Sequence, residues 1–183
     1  MDTEKITQIR AKELIIEGNS RAAVVVPLIL EGKKEEILFT KRTDWLEEHP
    51  GQISFPGGRY EEKDRILKRT AIREAGEEIG IQVHEIEFIG RLDECRTMTR
   101  YTITPFIAQI PDRKYIGNGE EVAEVIRYPI EKLIEADNFE WKEHTSGKET
   151  ILLPHFYIGD NVIWGATARI LVQLLEITTE WKY

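Results

Sequence analysis

Glu74, Glu77 and Glu78 stand at i, i+3 and i+4 within "KRTAIREAGEEIG" (68–80), a stretch that reads as a helix. On a helix these positions share one face, so three carboxylates would crowd into one small region. Each like-charge pair costs roughly 0.2 to 0.5 kcal/mol on an exposed helix, and more when buried. Such a set is either a solvated acidic face or one held by counter-charges. Arg73, four residues before Glu77, can pair with it and fix its orientation. A divalent cation is the other available counter-charge: carboxylate oxygens are hard ligands suited to it, and it would draw Glu74 and Glu78 together.

The flanking elements would have to position this face. Pro56, Gly57 and Gly58 read as a tight turn whose backbone can approach a ligand closely and offer a carbonyl to a metal. Gly80 sits where a left-handed helix stop is expected. Leu67, Ala71, Ala75 and Ile79 recur every four residues and supply a buried side distinct from the glutamates. Gly76 in mid-helix costs about 1 kcal/mol relative to Ala, which suggests close packing against a neighbouring element.

The wider chain bounds the function. With 183 residues, one hydrophobic core suffices. No apolar run reaches the roughly 18 to 20 residues of a membrane span, and "MDTEKITQIR" is too acidic and polar for a signal peptide, so a cytoplasmic location without membrane attachment is expected. Lone Cys95 can make no internal disulfide and reads as a small buried residue, not a nucleophile. Acids outnumber bases, 33 to 25, for a net charge of -8. A broad nucleic-acid-binding surface is therefore not expected, and an anionic substrate would need metal ions and a few placed basic side chains.

Element by element, Asp2 to Ile16 reads as an amphipathic helix. "AAVVVPLIL" (22–30) and "EILFTKR" (36–42) form a predicted hairpin around "EGKK". After the acidic helix, "HEIEFIGRL", "YTITPFIAQI" and "EVAEVIRYPI" read as strands, and "IEKLIEA" as a short helix. "ILLPHFYI" and "NVIWG" suggest a second hairpin, and "TARILVQLLEITTEW" a closing helix capped by Thr167. Trp164 is expected in the core. Helices and a mixed sheet interleave in an α/β pattern. Residues 1–20 are read as a helical segment packed on, or extending, a domain of residues 21–183.

"REAGEEIGI" (73–81) resembles the second half of the Nudix box, with Gly57 and Gly58 as its opening. The spacing from Gly58 to Arg73 is one residue longer than the general consensus, so Asp64 falls only near the place of the box's first acid. The resemblance implies an α/β/α sandwich with a mixed sheet and a catalytic loop-helix-loop. It also implies a divalent-metal-dependent pyrophosphatase acting on a small nucleoside diphosphate derivative, with Mg²⁺ or Mn²⁺ as cofactor. Glu74, Glu77, Glu78 and the Gly58 carbonyl are then the implied metal ligands, and Arg73 orients a glutamate. Glu121 corresponds to a downstream acid that acts as base in several members, with Glu120 and Glu124 as nearby alternatives.

"ILFTKRTDWLEEHPGQISFPGG" (37–58) looks like the signature that precedes the box in the coenzyme A pyrophosphatase branch. Phe39, Thr40, Arg42, Gly51, Phe55, Pro56, Gly57 and Gly58 keep its spacing. The branch's small residue falls on Thr43 and its second arginine on Glu47. Arg42 is suited to clamp a phosphate bidentately; Gly57, Gly58 and Arg59 complete the expected substrate contacts, and His49 is read mainly as structural. The reaction implied is cleavage of coenzyme A or a derivative into 3',5'-ADP and a phosphopantetheine. ADP-ribose or a dinucleotide is the alternative substrate. A non-catalytic nucleotide sensor is the less favoured class, because binding alone does not need three metal-facing acids. Association into a homodimer is left open.

Overall fold

The computed structural model describes residues 1–32, 34–46, 49–146 and 149–183. In chain order these form α1 (Thr3–Thr7), β1 (Ser20–Ile29), β2 (Glu36–Arg42), β3 (Ile53–Ser54), β4 (Gly57–Arg59), α2 (Leu67–Ile79), β5 (Glu87–Arg91) and β6 (Cys95–Arg96). They continue as β7 (Tyr101–Gln109), β8 (Val122–Pro129), α3 (Ile130–Leu133), β9 (Phe139–Ser146), β10 (Glu149–Ile158), β11 (Asn161–Trp164) and α4 (Gly165–Thr178).

The β-branched run in β1 makes it the central strand, buried along most of its length. It lies parallel to β7 and antiparallel to β2 and β4; β2 also pairs with β3 and β8, and β7 with β5 and β6. The side chains of β1 alternate between two cores. Ala23, Val25 and Ile29 pack with Ala71, Ala75 and Ile79 of α2. Val26 and Leu28 face the other way, into a cluster with Leu171, Leu174 and Leu175 of α4. A mixed sheet between two helical layers is the α/β/α sandwich expected from the sequence. A separate sheet, β9–β10–β11, contributes Phe156 and Ile163 to the α4 side. Among the described residues no helix is long and apolar enough to cross a membrane.

Several local expectations need correction. The predicted helix over 2–16 ends at Thr7. Beyond it, carboxylates on the segment after β5 capture the backbone: Lys12 N–H donates to Asp93 Oδ1 at 2.7 Å and Leu14 N–H to Glu94 Oε2 at 2.7 Å. These tertiary bonds replace helical ones and leave Ile15 exposed. Pro56–Gly58 is no tight turn, since Gly57 and Gly58 lie in β4, in register with Val24 and Ala23. Helix α4 begins at Gly165 with no side-chain cap, so Thr167 lies within the helix instead of capping it. Strand β9 was hidden by its charged residues. Its apolar Phe139 packs on Phe156 with ring centroids 5.0 Å apart.

Candidate active site

The box helix forms as its residues dictate. Ala71, Ala75 and Ile79 are buried, and Gly80 is left-handed, φ 66°, with its N–H returning to Gly76 O. A Cβ at Gly76 would meet only Ile81 O, at 3.4 Å, so packing does not require that glycine.

Arg73 is the hub of the exposed edge. Its Nε donates to Asp64 Oδ1 at 2.9 Å and its Nη2 to Asp64 Oδ2 at 3.0 Å. Its Nη1 donates to Glu74 Oε1 at 2.9 Å and Glu77 Oε2 at 3.2 Å, and Nη2 also reaches Arg59 O at 3.1 Å. The pairing of Arg73 with Glu77 thus forms as expected. Sequence spacing did not reveal that Asp64 is its bidentate partner. Asp64 also accepts from Thr70 Oγ1 and from Glu61 N–H, and the Arg73 hydrogen bonds hold its carboxyl far below the usual range. Arg65, between Asp64 and the helix, adopts φ 64°.

The three glutamates differ in environment. Glu78 is 4% exposed and accepts from Gly57 N–H at 3.1 Å. Burial pushes its carboxyl up to about 8, against the Gly57 hydrogen bond, with Glu74 and Glu121 adding to the rise. Glu74 is raised mainly by burial, although Arg73 opposes this. The Glu77 side chain is 58% exposed. Gly58 lies directly under Glu74: a Cβ there would fall 2.4 Å from the Glu74 carboxylate carbon. Among the described residues no three acidic, His or Cys side chains are already gathered around one point. Arg73 draws Glu74 and Glu77, and Gly57 draws Glu78. Hard oxygen donors, one of them buried and in no ion pair among the described residues, fit a divalent ion such as Mg²⁺ or Mn²⁺.

Of the three glutamates, Glu74 lines a cleft of about 480 Å³ together with Arg42, His49, Gly58, Arg59 and Glu121. Arg42 Nε is buried with no hydrogen-bond partner among the described residues. Of the candidate bases, Glu121 lines the cleft and its charge acts on both Glu74 and Glu78. Glu124 instead lies within β8, opposite Lys41. Arg59 stacks over the Tyr101 ring at 5.2 Å. Glu47 lies outside the described residues. Cys95 is buried, with its thiol pushed up by burial, as a packing residue would be. Trp164 is not core. It is half-buried and stacks on His144 and His155, at 5.5 and 6.1 Å. A second hollow, about 490 Å³, opens beside α1 and shares none of the cleft's residues.

The family model described as "NUDIX domain" matches residues 19–147, a span that contains this whole helix and its acids. The chain belongs to the Nudix hydrolase family. It is 32% identical over 161 residues to the "Uncharacterized Nudix hydrolase NudL" of Yersinia enterocolitica, covering 87% of this chain and 82% of that one. Its fold matches the MutT/nudix family protein of Enterococcus faecalis with a TM-score of 0.61 at 16% identity, over 89% of this chain and 63% of that one. A C. elegans Ap4A hydrolase matches with a TM-score of 0.52 at 17% identity, over 60% of this chain and 80% of that one. The Nudix assignment brings general pyrophosphatase chemistry on nucleoside diphosphate derivatives, typically with a divalent metal. Asp64, near the expected place of the box's first acid, is the acid that pairs with Arg73.

Proposed function

We propose that this Nudix hydrolase cleaves the diphosphate of coenzyme A or a derivative, giving 3',5'-ADP and a phosphopantetheine. One observation carries the reading. Arg42, His49, Gln52, Ser54, Phe55, Gly57 and Gly58 of the coenzyme A-type stretch line the cleft that holds Glu74, and Arg42 carries a buried N–H with no acceptor among the described residues. A buried cationic donor left unpaired costs free energy that an anionic phosphate oxygen would recover.

Mg²⁺ or Mn²⁺ held by Glu74, Glu77, Glu78 and the Gly58 carbonyl would supply neutralisation of the diphosphate charge and a more acidic water. The chain's own groups do the rest. Arg73, fixed by Asp64, holds the carboxylates of Glu74 and Glu77. Glu78 would serve as a ligand in its ionised form. Arg42, with Gly57, Gly58 and Arg59 beside it, holds the diphosphate. Glu121 accepts the proton of the attacking water as its oxygen bonds to one phosphorus and the bridging oxygen leaves on the other.

Mass spectrometry of the products from coenzyme A, ADP-ribose, NADH and diadenosine polyphosphates, each with Mg²⁺ and with Mn²⁺, tests this. We expect 3',5'-ADP and phosphopantetheine from coenzyme A at the highest kcat/KM. Preferred turnover of ADP-ribose or a dinucleotide would overturn the substrate, and no turnover of any would overturn the activity.

A further inference from the structure

The segment that carries Glu121 is tied to the box helix through Asn118, by both its main chain and its side chain. Asn118 Oδ1 accepts the N–H groups of Glu120, Glu121 and Val122 at 3.1, 2.9 and 3.1 Å. The backbone N–H of Asn118 donates to Glu78 O at 3.0 Å, and its Nδ2 donates to Glu77 O at 3.3 Å. Those two carbonyls belong to the last turn of α2, where no intrahelical partner exists. Thr43 grips the same segment from the other side, through its Oγ1 to Glu120 O at 3.1 Å and its N–H to Glu121 O at 2.9 Å. Thr43 is fully buried. The turn itself is tight: a Cβ at Gly117 would fall 2.4 Å from Val122 O, and Gly119 has φ 76°.

Two main-chain groups of Glu121 are thus fixed, its N–H by Asn118 and its C=O by Thr43. Of these two anchors Asn118 also contacts α2, at the main-chain carbonyls of Glu77 and Glu78, two of the three box glutamates. Only an amide combines these functions, because one end accepts three N–H groups while the other donates to a carbonyl. Aspartate could not donate to Glu77 O, and serine is too short to do both.

We infer that Asn118 is a positioning residue that fixes the Glu121 carboxylate relative to Glu77 and Glu78. The inference rests on the reading of Glu121 as the base. A general base works only within hydrogen-bond reach of its proton, so a displacement on the order of 1 Å can cost about 100-fold in rate.

The test is a double-mutant cycle in kcat and KM, with Mg²⁺ and coenzyme A, or ADP-ribose if coenzyme A is not turned over. The proteins are the full chain, Asn118→Ala, Glu121→Gln and the double variant. Glu121→Gln should lower kcat by about 100-fold or more. Asn118→Ala should lower kcat by about 10- to 100-fold while KM changes by less than about threefold. In the Glu121→Gln background the same change should cost less than about twofold, because the group it positions is gone. Asn118→Ser, which keeps one acceptor for the segment, should recover part of kcat. It also replaces Asn118→Ala in the cycle if that variant does not fold. An equal loss in both backgrounds, or kcat unchanged by Asn118→Ala, would overturn the inference. Undiminished kcat in Glu121→Gln alone would instead remove the base reading, and this inference with it.

Discussion

Asp64 and Arg73 face each other as a fork on a fork, with Nε–Oδ1 at 2.9 Å and Nη2–Oδ2 at 3.0 Å, and Asp64 almost wholly buried. This pair joins the segment after β4 to α2, and through Arg73 it holds Glu74 and Glu77. Removing one partner of a buried pair costs about 3–5 kcal/mol. Because Arg73 would keep two carboxylates, Asp64→Asn should fall at the low end, about 3 kcal/mol, or roughly 6–12 °C in Tm for a chain of this size. The sign with pH is fixed. The folded value of Asp64 is depressed, so its contribution is present above the unfolded value of 3.8 and is lost as pH falls through the folded value. Thermal melts of both proteins should therefore converge only in strong acid, and a gap that persists there would mean the ion pair is not its source.

Glu78 gives the opposite dependence. Its folded value is raised from 4.5 to about 8 by burial, so the folded metal-free protein binds the proton more tightly than the unfolded chain. Its ionisation thus weakens the fold progressively as pH rises from about 4.5 to about 8. Glu78→Gln keeps the shape and removes the titration. Across that window the metal-free Tm of the wild type should fall relative to Glu78→Gln, and the variant should be the more stable protein at pH 8. Parallel melting curves from pH 5 to 8 would show that Glu78 ionises freely.

These two residues also mark what the sequence could convey. The Gly80 stop and the Ala71–Ala75–Ile79 stripe are local properties of α2, and each appears as expected; the glutamates share the helix, but Glu78 turns into the protein and Glu77 to solvent. The β1–β2 hairpin was legible for the same reason. Partners distant in sequence were not. Residues 8–16 have a helical pattern, yet Asp93 and Glu94, some 80 positions away, claim their N–H groups. Thr43 entered as a departure from a motif, and only folding brings it to the Glu121 segment. Asn118, in a loop of "IGNGEE", carried no signal beyond a turn-forming residue.

Crowded carboxylates should make the protein respond to the ions it is proposed to bind. Mg²⁺ or Mn²⁺ that binds only the folded state raises stability by mass action, by about 2.7 kcal/mol at a hundredfold excess over Kd. A Glu74→Gln, Glu78→Gln double variant should lose most of that shift and nearly all turnover. Each 1.36 kcal/mol of lost transition-state stabilisation is tenfold in rate, and a metal site supplies several kcal/mol. Equal thermal shifts in wild type and double variant would mean that the ions bind elsewhere.

Arg42 separates substrate binding from stability. Its Nε is buried without an acceptor among the described residues, which gain nothing from that N–H while its desolvation is borne. Arg42→Ala should therefore leave Tm unchanged or slightly higher. If the missing acceptor is a phosphate oxygen, the variant loses a charge-assisted hydrogen bond of about 1.5–3 kcal/mol, which is roughly 10- to 150-fold in kcat/KM. Arg42→Lys keeps the charge but not the planar fork, so it should recover only a minor part of that loss. Steady-state kinetics on coenzyme A decide the matter. Arg42→Ala with a lowered Tm and unchanged kcat/KM would assign the guanidinium to holding the end of β2, not to the diphosphate.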